Sequence, residues 1–178
     1  MGKRSSIPGS WVPRTLEMLR SPAWRYLPNN ARRVLERLEL EHLEHGGAEN
    51  GKLICTYDDF AAAGLRRASI ALAIRQCVAL GFVAITRRGK RAIAEYRVPA
   101  MYRLTHVLNR YADGGRREPT HEWRSIKTDD DALLALRRAA GERNRDTQPW
   151  PKIKKPDAPA SPVPGANAHP VLSKSQTQ

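Results

Sequence analysis

Cysteine, aromatic residues and long apolar runs are all in short supply in this chain. Two cysteines, Cys55 and Cys77, stand in 178 residues without CxxC spacing, too few for a disulfide framework or a thiolate metal site. Aromatic residues make up 6% of the chain and are scattered, which argues against the stacking platform of a single-strand reader. No apolar stretch approaches the roughly 20 residues that cross a bilayer. No segment joins a broad apolar face to basic residues as an interfacial helix does, so no membrane partner is expected. No signal-peptide pattern is present, and a reduced, cytoplasmic setting at the nucleoid is expected. Catalytic signatures are missing as well: no phosphate-binding glycine loop, nucleophile elbow or HExxH occurs. His42 and His45 flank Leu43 and Glu44 beside Glu41, but no further ligand has sensible spacing. The acids Asp58–Asp59 and Asp129–Asp131 fall at helix starts, where the helix dipole accounts for them. No enzyme, cofactor or metal is expected.

Acidic residues are outnumbered, and that imbalance is the first positive signal. Lys and Arg total 31 against 18 Asp and Glu, a net charge of +13 with a pI near 10.4. Residues 83–128 hold eleven basic and four acidic residues, whereas residues 30–50 hold more acids than bases. Positive charge is therefore clustered, as a nucleic-acid footprint requires.

The stretch from Thr56 to Arg97 carries the most specific pattern. Thr56 sits at an N-cap position, with Asp58 and Asp59 in the first turn and Phe60 and Ala63 able to face inward. Gly64 suits a left-handed cap, because it lacks the Cβ that makes positive φ costly. A second helix is expected over Ala68–Leu80, with Ser69 a candidate cap and Ile70, Ile74, Cys77 and Val78 forming one apolar stripe. Cys77 is then expected as a buried free thiol. Ser69, Leu72, Ala73, Arg75 and Gln76 fall on the other side, with Arg66 and Arg67 in the preceding turn. Recognition helices contact base edges through their N-terminal residues, Arg pairing with guanine and Gln with adenine. Small side chains at Ser69 and Ala73 are expected to allow close approach to a groove floor. Leu72 needs a thymine methyl or a protein partner.

Two β-like runs follow. Phe82–Thr86 is expected to pair with Ile93–Val98 around a tip containing Arg87, Arg88, Gly89, Lys90 and Arg91. Cations at such a tip neutralise phosphates, release counterions and position a protein without specifying sequence.

The order helix, turn, helix, strand, basic hairpin, strand from about Pro13 to Leu104 resembles the winged helix-turn-helix family. The similarity is to small bacterial proteins of plasmids and mobile elements, including replication-initiator-like proteins. It is carried by SPAWRYLPNNARRVLERLELEH, TYDDFAAAG, AIRQCVALGFVAITRRGKRAIAEYR and PTHEWR. The resemblance implies an α+β fold, with a helical bundle and a small three-stranded antiparallel sheet. It also implies DNA binding through the second helix of the pair and the wing.

The flanks read as support. Residues 1–12 form a basic, flexible lead, and 13–126 the winged-helix domain. Short turns around Arg14–Leu19 and Pro22–Leu27 are expected to carry Leu16, Leu19, Trp24 and Leu27 toward a core. Asn29 or Asn30 is expected to cap a helix running to about His45, with Val34, Leu35, Leu38 and His42 on one side and Gly46–Gly47 as its stop. Leu53–Cys55 is a candidate short strand, completing the sheet with the wing strands. Met101–Leu108 extends the last strand, Gly114–Gly115 marks a loop, and Trp123 is expected to pack back on the domain. Residues 127–146 hold a helix with acids at its start and arginines near its end, expected either to pack on its own domain or to pair with a partner or second copy. From 147 to 178, Pro, Ala, Ser and Lys dominate and a disordered tail is expected.

Together these features predict a sequence-specific double-stranded DNA-binding protein, a transcriptional regulator or accessory replication factor of a mobile element. Two alternatives stand beside it. One is an architectural or recombination-directionality factor that bends DNA and recruits a recombinase; the other is a winged helix used for protein–protein interaction.

Overall fold

The longest helix forms where apolar residues recur three and four apart. In the computed structural model, α3 (Asn29–Glu44) buries Ala31, Val34, Leu35, Leu38 and His42 along one side, together with Glu39. Its N-cap is Pro28 rather than an asparagine: the chain enters extended at Pro28, and Asn29 is already helical. The structure describes residues 9–89, 98–112 and 115–141. Lys90, Arg91, the run 93–97, most of the lead and the tail lie outside the described residues.

Two short helices precede α3. α1 (Leu16–Arg20) starts at Thr15, whose hydroxyl accepts from the Met18 amide at 3.2 Å. That cap sets the phase of a helix too short to bury more than one face. Met18 is buried, while Leu16 and Leu19, both expected in the core, are 61% and 41% exposed. α2 (Pro22–Arg25) follows at once, capped by Ser21.

β1 (Leu53–Ile54), β2 (Val83–Arg87) and β3 (Met101–Leu104) form the expected three-stranded antiparallel sheet, in the order β1-β3-β2. The partner of β2 differs from the expectation. Val83 lies opposite Leu104 and Ile85 opposite Tyr102, so β2 pairs with 101–104, while residues 93–97 of the expected partner run lie outside the described residues. Burial selects this register: Tyr102 and Leu104 point into the core and alternate with half-exposed Met101 and Arg103. β3 stops at Leu104, where the Asn50 side chain satisfies the end of the strand. Asn50 donates to the carbonyls of Leu104 and Val107 and accepts from the Leu104 amide. β4 (Asn109–Ala112) and β5 (Gly115–Arg117) pair separately, so Gly115 opens a strand rather than sitting in a loop.

α4 (Tyr57–Ala62) and α5 (Arg67–Ala79) lie between β1 and β2. Phe60, fully buried, anchors α4, worth roughly 2–3 kcal/mol of apolar burial. Ala63, expected inward, is exposed at the C-cap. Phe82, Leu80, Leu35, Leu38, Leu104 and Trp123 complete the same core. Trp123 lies in a 3-10 turn (Glu122–Ser125) packed under the corner between α5 and β2, so it packs back as expected. Gly81 makes that corner possible. It has φ +76°, and a Cβ there would fall 2.5 Å from the Trp123 nitrogen.

A buried charge cluster ties the N-terminal segment to α3. Glu39 accepts from both Arg14 and His106, the latter at 3.1 Å. Burial alone would raise the Glu39 pKa, but the bonds from His106 and Arg14 hold it below the usual carboxylate value. Finally, α6 (Asp129–Gly141) forms where expected and packs on α5 and α2, with Ala132 and Ala139 buried. Asp129 meets Arg25 and the Tyr26 hydroxyl at its start. No helix among the described residues is long and apolar enough to cross a membrane.

Candidate nucleic-acid interface

The segment 56–79 is a helix pair whose geometry follows from its caps. The Thr56 hydroxyl accepts from the Asp59 amide at 3.3 Å, and the Asp59 carboxylate accepts from the Thr56 amide at 2.7 Å, a reciprocal capping box. The bonds that the Thr56 amide and hydroxyl both donate to the Asp59 carboxylate hold its pKa low. Gly64 adopts φ +87° and turns the chain, and buried Leu65 then anchors the link to α5. Arg66 is the N-cap of α5 and supplies no side-chain cap. The Ser69 amide donates back to the Arg66 carbonyl at 2.8 Å, and the Arg67 and Ala68 amides have no intrahelical acceptor, so the start of this 13-residue helix carries positive partial charge with an arginine beside it.

Burial sorts the seven predicted helix and turn residues into three groups. Arg66 and Arg67 are exposed at the start of α5. The Arg66 side chain makes no hydrogen bond or ion pair among the described residues, while Arg67 pairs with Asp58 of α4. Ser69, Leu72 and Gln76 are half-buried. Ala73 and Arg75 depart from the expectation. Ala73 is 1% exposed and sits inside the Ile70–Ile74–Cys77 stripe. An alanine is compatible with either face of a helix, so its spacing, three after Ile70 and four before Cys77, decides. Val78, assigned to that stripe, is instead 37% exposed. Arg75 turns to α6, where its Nε donates to the Ala139 carbonyl at 2.9 Å and satisfies the end of that helix.

Arg33, which sequence reasoning passed over, completes the exposed end of α5. From α3 it reaches the turn, and its Nη1 donates to the Gly64 carbonyl at 2.9 Å. Its neighbour Arg32 does something different. It stacks 4.6 Å from the Trp24 ring centroid and donates to the carbonyls of Trp24 and Leu27. Adjacent arginines on one helix thus serve surface and scaffold, and no sequence periodicity separates them.

The arm begins where β2 leaves the core. Val83 is buried, Ile85 is 40% exposed, and Thr86, Arg87, Arg88 and Gly89 are exposed. A register shift falls between Ile85 and Arg87. Arg87 lies opposite Met101, and a Cβ on Gly89 would come within 3.2 Å of the Val98 oxygen. Arg87, Arg88 and Gly89 therefore belong to the outgoing arm, not to its turn. Lys90 and Arg91 lie outside the described residues.

Both cysteines are accounted for by packing. The Cys77 thiol is pushed up by burial and lies 3.0 Å from the Ala31 carbonyl, as a free buried cysteine. Burial likewise pushes Cys55 up to about 12. His42 is buried and His45 is exposed against the Glu41 carbonyl, so the pair does not converge. Among the described residues no three His, Cys, Asp or Glu side chains could hold a metal ion. No protein-family model matches the chain, and no curated protein or solved structure matches it.

Proposed function

We propose that this chain binds double-stranded DNA as a winged helix-turn-helix protein, with α5 as the reading helix and the β2–β3 arm as the wing. The observation that carries the reading is Arg66: an exposed arginine whose side chain pairs with no described residue, at the start of α5 where no side chain caps the helix, flanked by Arg67 and Arg33. In this account Arg66 reaches a base edge in the major groove. Arg33, Arg67, Arg87 and Arg88 neutralise phosphates on either side, Arg67 exchanging Asp58 for phosphate. A net charge of +13 supports the attraction. The role is that of a regulator or accessory replication factor on a mobile element, in keeping with the sequence resemblance.

Fluorescence anisotropy at about 150 mM salt tests the partner class, comparing a duplex pool with its separated strands. Tighter retention of duplex, lost in Arg66→Glu, is the expected result. Preference for the single strands, or a variant that binds as the wild type does, would sink the reading.

A further inference from the structure

Arg75 was expected to read bases, yet α6 lies along the C-terminal half of α5 and takes its Nε. Between the two helices is a cleft of about 390 Å³, lined among others by Arg75, Ala79, Asp131, Leu134 and Arg138. Two guanidiniums thus border one opening. The Ala139 carbonyl engages only the Nε of Arg75, which leaves both Nη groups as donors for a ligand. Arg138 is exposed and pairs with no described residue. The one acid in the lining, Asp131, is committed elsewhere. Its carboxylate accepts from the Lys127 and Thr128 amides at 3.2 and 3.0 Å, closing the start of α6.

Size decides what kind of anion reaches this cleft. A packed helix pair is roughly 20 Å across, from about 10 Å per helix, whereas the major groove is about 12 Å wide. With α6 docked, the C-terminal half of α5 cannot sink between the strands. Only its N-terminal turns enter, and the α5–α6 cleft stops at the rim, where the phosphates lie. We propose that this cleft seats one backbone phosphate of duplex DNA, held by Arg75 from α5 and Arg138 from α6. The seat sets the depth of α5 in the groove and makes α6 part of the interface. The inference rests on the DNA reading above.

The test uses the full chain and two duplexes, one preferred and one scrambled, titrated between about 50 and 200 mM salt. Arg138→Ala removes an exposed side chain without touching the core. It is expected to weaken both duplexes about fivefold at 150 mM salt and to shrink the salt slope by about 0.9, the value for one phosphate. The preferred sequence should not change. Arg75→Lys keeps a cation and should keep the slope, whereas Arg75→Ala should shrink it by about as much as Arg138→Ala does. An Arg138→Ala protein with unchanged affinity and slope overturns the phosphate seat, as does a changed base preference in Arg75→Ala. If those results come with Arg66→Ala still relaxing specificity, the DNA reading survives and this inference alone fails. No retention of any duplex by the wild type overturns both.

Discussion

Gly81→Ala is the sharpest perturbation of the frame that holds the interface. The residue has φ +76°, and forcing a side chain into left-handed backbone costs about 1–2 kcal/mol. The new Cβ would also lie 2.5 Å from the Trp123 nitrogen, 2.6 Å from the Glu122 carbonyl carbon and 2.8 Å from its oxygen. All three are backbone atoms, so no side chain can rotate away. Restoring a contact of about 3.5 Å moves the 3-10 turn by roughly 1 Å. Trp123 is 2% exposed, and moving it forfeits part of the roughly 3–5 kcal/mol that truncating a buried aromatic costs. The sum is about 3–5 kcal/mol, a large fraction of the 5–15 kcal/mol typical of a domain. Urea denaturation followed by tryptophan fluorescence should show the midpoint falling by roughly 1–5 M, for slopes of about 1–3 kcal/mol/M. A loss below about 1 kcal/mol would refute the argument, because the corner would then be free to relax.

Other substitutions separate local stability from recognition. Thr56→Ala removes half of the capping box and should cost about 1 kcal/mol in thermal or urea unfolding, with Thr56→Ser close to wild type. Glu39→Gln should cost about 2 kcal/mol at pH 7, less than a fully buried pair because Arg14 is 30% exposed. Because the folded pKa of Glu39 is depressed, its stabilisation is present above the usual value of 4.5 and is lost as pH falls below it. Wild-type stability should therefore drop more steeply than that of Glu39→Gln in that acid range, and parallel profiles would contradict the assignment. Arg66→Ala should cost roughly 1–3 kcal/mol on the preferred duplex and relax one base position. Arg87→Ala should weaken preferred and scrambled duplexes equally and flatten the salt slope, so a sequence-dependent loss would place it among base readers instead.

Where the sequence carried a repeating physical signal, it was readable. Val34, Leu35, Leu38 and His42 on one side of α3, the N-cap at Thr56, the left-handed turn at Gly64 and the acids opening α6 all follow from periodicity or terminal chemistry. Small residues and contacts between distant segments were not. Ala73 has no preference for either face until its neighbours pack, and Arg75 goes to α6 because a carbonyl 64 residues away needs a donor. Arg33 joins the site through the Gly64 carbonyl, 31 positions along the chain. The pairing of β2 with 101–104 was not singled out either, because it depends on Tyr102 and Leu104 packing into a core built by distant segments. The exposed leucines of α1 show the same limit, since a five-residue helix has too few positions to reveal its phase.

Selection of bound duplexes from a random library, at about 150 mM salt to suppress nonspecific attraction, tests the central claim most directly. An enriched motif that loses one position of preference in Arg66→Ala, and none in Arg87→Ala, is the predicted result. Retention without any enriched motif, or no retention, would contradict the assignment of α5 as a sequence-reading helix.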